Sequence, residues 1–269
     1  MKKKIFDCVT FFQENVQFEL RFNILKHVVD KFIICESIFD HRGKKKGIKF
    51  ELEKYKKYGN KIKHVVLNEP FPKENIPWKN QALQREYIFE GIKEGNEDDF
   101  IMFSDPDEIP NPNVLKNLFF EKKYGIFMQQ MFTYKLNYFN KYESPWEGTR
   151  ICRKKDLKSV DWLRQKVVTK NLKYPFWRFD KERSIQIIEN GGWHFNYLLK
   201  PEEILKKLKS LAETKWDKEN FYDLDVIKNK IKSKIDLFGR NHKFEKVNID
   251  DNFPEYIINN IDLYKEWID

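Results

Sequence analysis

Phe100-Ile101-Met102-Phe103-Ser104-Asp105-Pro106-Asp107-Glu108-Ile109-Pro110 is the stretch that decides how this chain is read. Its first four residues form a short unbroken apolar run, the pattern of a strand buried within a sheet. Three carboxylates follow at once, and open α/β sheets hold their ligands just beyond the carboxyl ends of their strands. Residues i and i+2 of an extended segment point the same way, and Pro106 biases Asp105 towards extended backbone. Asp105 and Asp107 are therefore predicted to face one hard divalent cation, Mg²⁺ or Mn²⁺. A solvated acidic turn is the competing reading of any Asp-x-Asp. Two features weigh against it: the motif runs on into Val114-Leu115-Lys116-Asn117-Leu118, joining strand to helix, and three crowded acids repel one another unless a cation relieves them.

Outward from this motif the chain reads as alternating strands and helices. Residues 5–12 predict a first strand, 15–27 a helix with Phe18, Phe22 and Leu25 at helical spacing, and 29–35 a second strand, which makes a βαβ unit with a right-handed crossover. A helix over 50–59, a third strand over 62–67, a proline-marked loop and a helix over 80–94 lead to the acid-bearing strand. Beyond it, 124–134 returns to the sheet, 142–148 is a loop, 149–152 a short strand, 156–164 a helix, and 185–188 a strand closing at Gly191-Gly192. From Pro201 the apolar spacing turns helical, with Ile204, Leu205, Leu208 and Leu211 on one face, then Val226, Ile227, Ile231, Ile235 and Phe238. The expected architecture is α/β: a mixed, mostly parallel, Rossmann-like sheet flanked by helices over 1–200, with a helical C-terminal extension over 201–269 packed on it.

Composition narrows the function classes. The 269 residues suffice for a substantial core, aromatics make up 16%, and the net charge of +9 is concentrated in lysine-rich runs such as Lys44-Lys45-Lys46. A positive field attracts anionic partners, whether a nucleoside diphosphate, an acidic glycan, a phospholipid surface or nucleic acid. A nucleic-acid-binding module would have no use for acids clustered beyond a strand, so nucleic acid is not an expected partner. Cys8, Cys35 and Cys152 are too few and too scattered for a disulfide framework or a zinc site, which points to a reducing compartment. The basic start Met1-Lys2-Lys3-Lys4 is followed by an apolar run broken at Asp7 and Gln13-Glu14, unlike a secretory signal, and no segment has the length of a membrane span. A soluble cytoplasmic protein is expected, with peripheral membrane association left open.

Other residues carry candidate chemistry. Glu36, at the end of the second strand, stands where a carboxylate can accept hydrogen bonds from a ribose or base. Lys79, Gln81 and Arg85 lie on the helix before the acidic strand, and Arg85 suits bidentate contact with phosphate or a salt bridge to Glu86 or Glu90. In Gly191-Gly192-Trp193-His194-Phe195 the glycines permit a close backbone approach, and His194 is either a third metal ligand or a satisfied core histidine.

These pieces together resemble glycosyltransferase family 17, which includes β-1,4-mannosyl-glycoprotein β-1,4-N-acetylglucosaminyltransferases. The matching segments are Phe6-Asp7 and the following helix, Val29 through Cys35-Glu36-Ser37, Asp105-Pro106-Asp107-Glu108-Ile109-Pro110, and Gly192-Trp193-His194-Phe195. The resemblance implies a GT-A-like sheet, a divalent metal, a UDP-sugar donor with UDP-GlcNAc favoured, a glycan acceptor, and inversion at the anomeric carbon. It assigns Asp105 and Asp107 to the metal motif, Glu36 to the nucleoside, and His194 to the C-terminal metal-binding histidine. An inverting transfer also needs a carboxylate base. Glu147, in the loop Pro145-Trp146-Glu147-Gly148, is preferred, with Asp156 and Asp161 as rivals; Trp146, Trp177 and Trp193 are candidates for stacking on sugar. A metal-dependent nucleotidyltransferase would share the Asp-x-Asp, and a glycoside hydrolase would use two carboxylates without nucleotide or metal.

Overall fold

The computed structural model describes residues 3–210, 212 and 222–269; Met1, Lys2 and Leu211 of the sequence reading lie outside them. Four parallel strands, β1 (Ile5–Phe11), β2 (Lys31–Ser37), β3 (Ile62–Leu67) and β4 (Phe100–Ser104), run in the spatial order β3-β2-β1-β4. The helix between β1 and β2 supplies the crossover that parallel pairing requires. Past β4 the sheet becomes mixed, with β8 (Trp146–Arg153) antiparallel to β4 and β6 (Tyr124–Thr133) antiparallel to β8. The edge is completed by β7 (Tyr138–Phe139) and β10 (Glu245–Lys246). A side arm leaves at β6, where β9 (Ile185–Asn196) pairs in parallel, and β5 (Glu108–Pro110) then pairs antiparallel with β9. This is the mostly parallel GT-A-like, Rossmann-like sheet flanked by helices that the sequence predicts.

The helices bury their apolar stripes on both faces. On one, α1 (Asn15–Leu25) sets Phe18 and Phe22 against Phe32, Phe50 and Tyr55, with ring centroids 5.0 Å apart for Phe18–Phe50 and for Phe22–Phe32. On the other, Ile88 and Ile92 of α3 (Phe89–Ile92) and its cap, with Val160 and Leu163 of α5 (Val160–Lys166), cover Ile33, Ile101 and Phe103, while α2 (Pro77–Tyr87) buries the polar Asn80, Gln84 and Arg85. Helix starts follow the expected chemistry: Pro77 opens α2, Asn111 accepts from Asn113 N at the head of α4 (Pro112–Lys116), and Ser159 accepts from Trp162 N at the head of α5. Residues 201–269 contribute α6 (Pro201–Ser210), α7 (Leu224–Lys232), the edge strand β10 and α8 (Glu255–Ile258). Ile204, Leu208 and Ile227 pack there with Tyr134, Tyr138 and Tyr197, while Phe253 and Ile257 join the α1-side core. Among the described residues no helix is long and apolar enough to cross a membrane.

Three local readings around β8 and β9 change, and the helical stripe read from Val226 to Phe238 is helical only as far as Lys232, leaving Ile235 and Phe238 beyond α7. The stretch 142–148 is not all loop, because β8 begins at Trp146, where Gln129 of β6 pairs with it. The helix expected from 156 begins at Val160, capped by Ser159, and Asp156 sits in a short 3₁₀ turn. The strand closing at Gly191-Gly192 instead continues through them to Asn196. A Cβ on Gly192 would lie 2.1 Å from the Ile109 carbonyl oxygen, and one on Gly191 would lie 2.6 Å from Met128 N. What these glycines admit is the backbone of β5 and β6, not a ligand.

Candidate active site

The carboxyl ends of β1 and β4 open into a cavity of about 310 Å³. Its walls include Phe12 and Glu14 after β1, His41 after β2, Gln81 and Gln84 of α2, and Asp105 and Asp107 after β4. The mixed half of the sheet adds Glu143, Trp146 and His194, and the C-terminal segment adds Lys207 and Arg240. A larger groove of about 740 Å³ lies beside α4 and Trp193, and it contains none of the strand-end acids.

Asp105 and Asp107 share the cavity wall but have different partners. Asp105 accepts from Arg164 Nη2 at 2.7 Å and lies 3.9 Å from Arg85. Burial works against its charge, yet Arg164 and Arg85 outweigh it and hold the carboxyl below its ordinary range. Asp107 lies 3.4 Å from His194 Nε2 and 3.6 Å from Lys207 Nζ. Burial opposes ionisation here too, but Lys207 and His194 prevail and depress the group strongly. His194 is shifted the other way: burial disfavours the imidazolium, and the charges of Asp107, Glu108 and Asp105 more than offset it. Its Nδ1 is buried without a hydrogen-bond partner in the chain.

A contacting carboxylate and imidazole with a free ring nitrogen form a donor set that a hard or borderline divalent ion accepts. Asp105 is turned to Arg164, and among the described residues no three His, Cys, Asp or Glu side chains converge as a metal-ligand group.

Glu108, fully buried, braces the motif from behind. Its carboxylate accepts from Arg164 at 2.7 and 3.0 Å and from Trp146 Nε1 at 2.7 Å. Its main-chain oxygen accepts from Arg21 of α1, which is itself held by Asp7 of β1. Lys207 of α6 bridges Glu14 at 3.1 Å and Asp107, and the two acids keep its ammonium charged despite burial, raising its pKa.

The structure places the remaining sequence candidates elsewhere. Glu36 is wholly buried and does not line the cavity; it accepts from Lys46 Nζ at 2.8 Å, Lys49 N at 2.7 Å and Phe50 N at 3.1 Å, with His64 at 3.2 Å. A strand-end acid meant for a nucleoside is here engaged in pinning its own loop. Arg85 binds Asp161 at 2.8 Å, so Asp161 serves that guanidinium, and Lys79 is exposed on α2 away from the cavity wall.

The three expected bases are also accounted for. Glu147 follows Trp146 on a strand and so points to the opposite face. It accepts from Thr169 N at 3.2 Å and pairs with Arg150 at 3.3 Å. Asp156 lies beyond Arg153, the residue opposite Phe100, and so at the far end of β4 from Asp105. Neither reaches the cavity. Trp177 is 61% exposed outside it, and Trp193 is buried with its indole N–H on Asn252 O.

Sequence reading passed over Arg21, Arg164 and Lys207, the cations that organise the acids, and Glu14 and Glu143, the further carboxylates on the cavity wall. The signal for the cations was a basic residue on an apolar helical stripe: Arg21 three after Phe18, Arg164 four after Val160, Lys207 three after Ile204.

Glu36 yields a first prediction. Burial opposes its charge, but hydrogen bonds from His64, Lys46 and Lys49 N prevail and lower its pKa from 4.5. A depressed carboxylate contributes stability that is complete above its unfolded value and lost as pH falls through its folded one. Glu36→Gln, which leaves Lys46 buried and unpaired, is expected to cost about 3 kcal/mol at pH 7. The loss should shrink towards pH 3, as measured by urea denaturation across that range.

Comparison with known proteins adds the family. Solved structures that resemble this chain include S. aureus TarS 1-349, with 15% identity over 86% of this chain and 71% of that one and a TM-score of 0.38. The inositol-1-phosphate CTP transferase from T. maritima shows 13% identity over 87% of this chain and 99% of that one, TM-score 0.37. A 4-diphosphocytidyl-2C-methyl-D-erythritol synthase shows 13% over 57% and 77%, TM-score 0.32. These likenesses are loose, and no function is taken from them. Comparison with curated proteins found no match. The profile of glycosyltransferase family 17 matches residues 1–245, and the chain therefore belongs to that family and is a glycosyltransferase.

Proposed function

We propose that the enzyme transfers a sugar from a UDP-sugar, with UDP-GlcNAc the donor favoured by the family, to a glycan hydroxyl with inversion and with Mn²⁺ or Mg²⁺ bound. The observation that supports this most is Asp107 in contact with His194 on the wall of the strand-end cavity, beside Asp105. Asp107 and His194 would hold the ion, with Asp105 joining if Arg164 releases it. The ion's chemistry would be Lewis-acid stabilisation of the departing diphosphate.

The chain's own residues divide the rest. Lys207 brings a cationic group to the wall where diphosphate charge would develop, and Arg164 and Arg85 stand behind it, 2.7 and 3.9 Å from Asp105. Gln81, whose Oε1 is buried without a partner in the chain, offers a polar edge for the nucleoside, beside His41 and Gln84, which hydrogen-bond each other at 2.9 Å; burial keeps His41 below its ordinary pKa.

The base is assigned to Glu143. It stands on the cavity wall in the loop between β7 and β8, outside the strand-end motif, and is held by Arg240 at 2.7 Å and Asn140 at 2.9 Å. Glu14, the other non-motif acid on the wall, is buried, with one oxygen on two backbone N–H groups at 2.9 Å and the other on Lys207 at 3.1 Å, whereas Glu143 is half-buried and open to the cavity. Glu143→Gln is expected to lower kcat about a hundredfold or more with KM for the donor little changed. Glu147→Gln should lose less than about tenfold, by loosening Thr169 and Arg150.

The test of the function as a whole is thermal shift against a panel of nucleoside diphosphates and their sugars, with and without Mn²⁺, followed by assay of diphosphate release. If no nucleoside diphosphate raises the melting temperature under any metal condition, the reading fails. Stabilisation by nucleoside triphosphates with pyrophosphate release would favour a nucleotidyltransferase instead.

A further inference from the structure

Among the described residues, the four barest aromatic side chains lie on two segments that meet at the start of β9. Phe176, Trp177 and Phe179, within four consecutive residues, are 76%, 61% and 91% exposed. They lie between the 3₁₀ helix Thr169–Lys173 and the start of β9. Phe119, 75% exposed, lies on the loop before β6, and that loop is stitched to the same strand start. Gln186 donates to Phe119 O at 2.8 Å, and Lys123 N donates to Ser184 Oγ at 3.1 Å. Single exposed apolar residues are ordinary, but four large aromatics flanking one strand end are an exposed patch.

The segment is built to present them. Arg178 N bonds Pro175 O at 3.1 Å and Lys181 N bonds Arg178 O at 3.0 Å, two successive turns that satisfy the backbone. Arg178 grips Asp180 through two hydrogen bonds, at 2.7 and 2.8 Å. Arg178 and Lys181 both lie against the Tyr174 ring, at 5.2 and 5.4 Å from its centre. Phe176 and Trp177 contact each other edge to face at 5.2 Å, and Phe179 projects almost bare. The exposed charges of these two segments are Lys122, Lys123, Lys173, Arg178 and Arg183 against Glu121 and Asp180, so the basic side prevails even with Arg178 paired to Asp180.

We propose that this aromatic and basic edge docks the enzyme on a bilayer surface rich in anionic lipid. The rings would enter the headgroup layer, where aromatic side chains are favoured, and the cations would meet lipid phosphates. Charge complementarity selects this occupant. Duplex nucleic acid would take the cations but keeps its base faces stacked and offers no apolar layer to Phe179, and a second copy would cover the rings while bringing its own lysines and arginines against these. The start of β9 lies at the amino ends of the sheet's parallel strands, opposite the ends that carry Asp105. Docking there leaves the cavity free to receive donor and acceptor.

The experiment is co-sedimentation of the full chain with vesicles of phosphatidylcholine alone or with about 30% phosphatidylglycerol. Wild type is expected to bind the anionic vesicles at least about tenfold more tightly, and the triple variant Phe176→Ala, Trp177→Ala, Phe179→Ala to lose about tenfold or more. Because these side chains are exposed, the variant should melt with wild type and transfer sugar to a soluble acceptor at the same rate. The proposal is overturned by no preference for anionic vesicles, by undiminished binding of the variant, or by a raised acceptor KM in the variant, which would make the patch an acceptor subsite. A concentration-dependent dimer abolished by the same substitutions would also overturn it, in favour of a second copy.

Discussion

Asp107→Asn is expected to lower kcat for sugar transfer about a thousandfold, the scale of losing a preorganised charge at the reacting centre, while the protein stays folded. The side chain is buried and its charge is held by Lys207 and His194. Asparagine keeps the volume and an oxygen, the Asp107 main chain still accepts from Phe195 N at 2.8 Å, and Lys207 keeps its second partner Glu14 at 3.1 Å. What disappears is the negative charge on which a divalent ion would depend. The loss should therefore appear together with a weakened response of activity and melting temperature to Mn²⁺. Asp156→Asn is the matched control, since that acid lies at the other end of β4. A variant at Asp107 that retains near wild-type turnover with the same metal response would remove this carboxylate from the site. Equal damage from Asp156→Asn would show that the assay reports general charge loss rather than local chemistry.

The sequence made the acids legible because they follow a four-residue apolar run, and a strand end is a local pattern. The βαβ order was legible for the same reason: β1, α1 and β2 are each written in contiguous spacing. What was illegible depends on register between distant strands. Glu147 was read as a loop acid facing an acceptor, but Trp146 pairs across to Gln129 of β6, and that pairing turns Trp146 towards Glu108 and Glu147 towards Thr169. Gly191-Gly192 read as a ligand approach because glycine marks close contact without saying with what; the partners are Met128 and Ile109 of the chain itself. Glu36 was rightly placed at a strand end, yet whether such an acid faces ligand or loop depends on the return path of residues 46–50. The ion-pair network was visible only as an anomaly, a cation on an apolar helical stripe. Arg21, Arg164 and Lys207 all carry that mark, and each meets an acid or carbonyl of the motif.

Arg21→Met is expected to be the most destabilising single change, costing about 4 kcal/mol, because it removes one partner of a fully buried ion pair and strands the other. Arg21 and Asp7 are 0% and 1% exposed and are joined by two parallel hydrogen bonds of 2.6 and 2.5 Å. The same guanidinium donates to Ser104 Oγ at 2.9 Å and to the Glu108 main-chain oxygen at 2.5 Å. One side chain thus ties the first helix and first strand to both ends of the loop that carries Asp105 and Asp107. Methionine fills much of the volume but leaves the Asp7 carboxylate in a dry interior, so urea denaturation should show the full penalty. The double variant Asp7→Asn, Arg21→Met removes the stranded charge and should recover about half of it. Even when refolded, the double variant still lacks the tether to Ser104 and Glu108. Its affinity for nucleoside diphosphate with Mn²⁺ should therefore stay about tenfold weaker than wild type, since small displacements at a positioned site carry costs of that order. A single variant that loses less than about 1 kcal/mol, as at an exposed pair, would refute the buried-pair account. A double variant restored in stability and in nucleotide affinity alike would show that Arg21 serves only Asp7 and has no part in holding the motif.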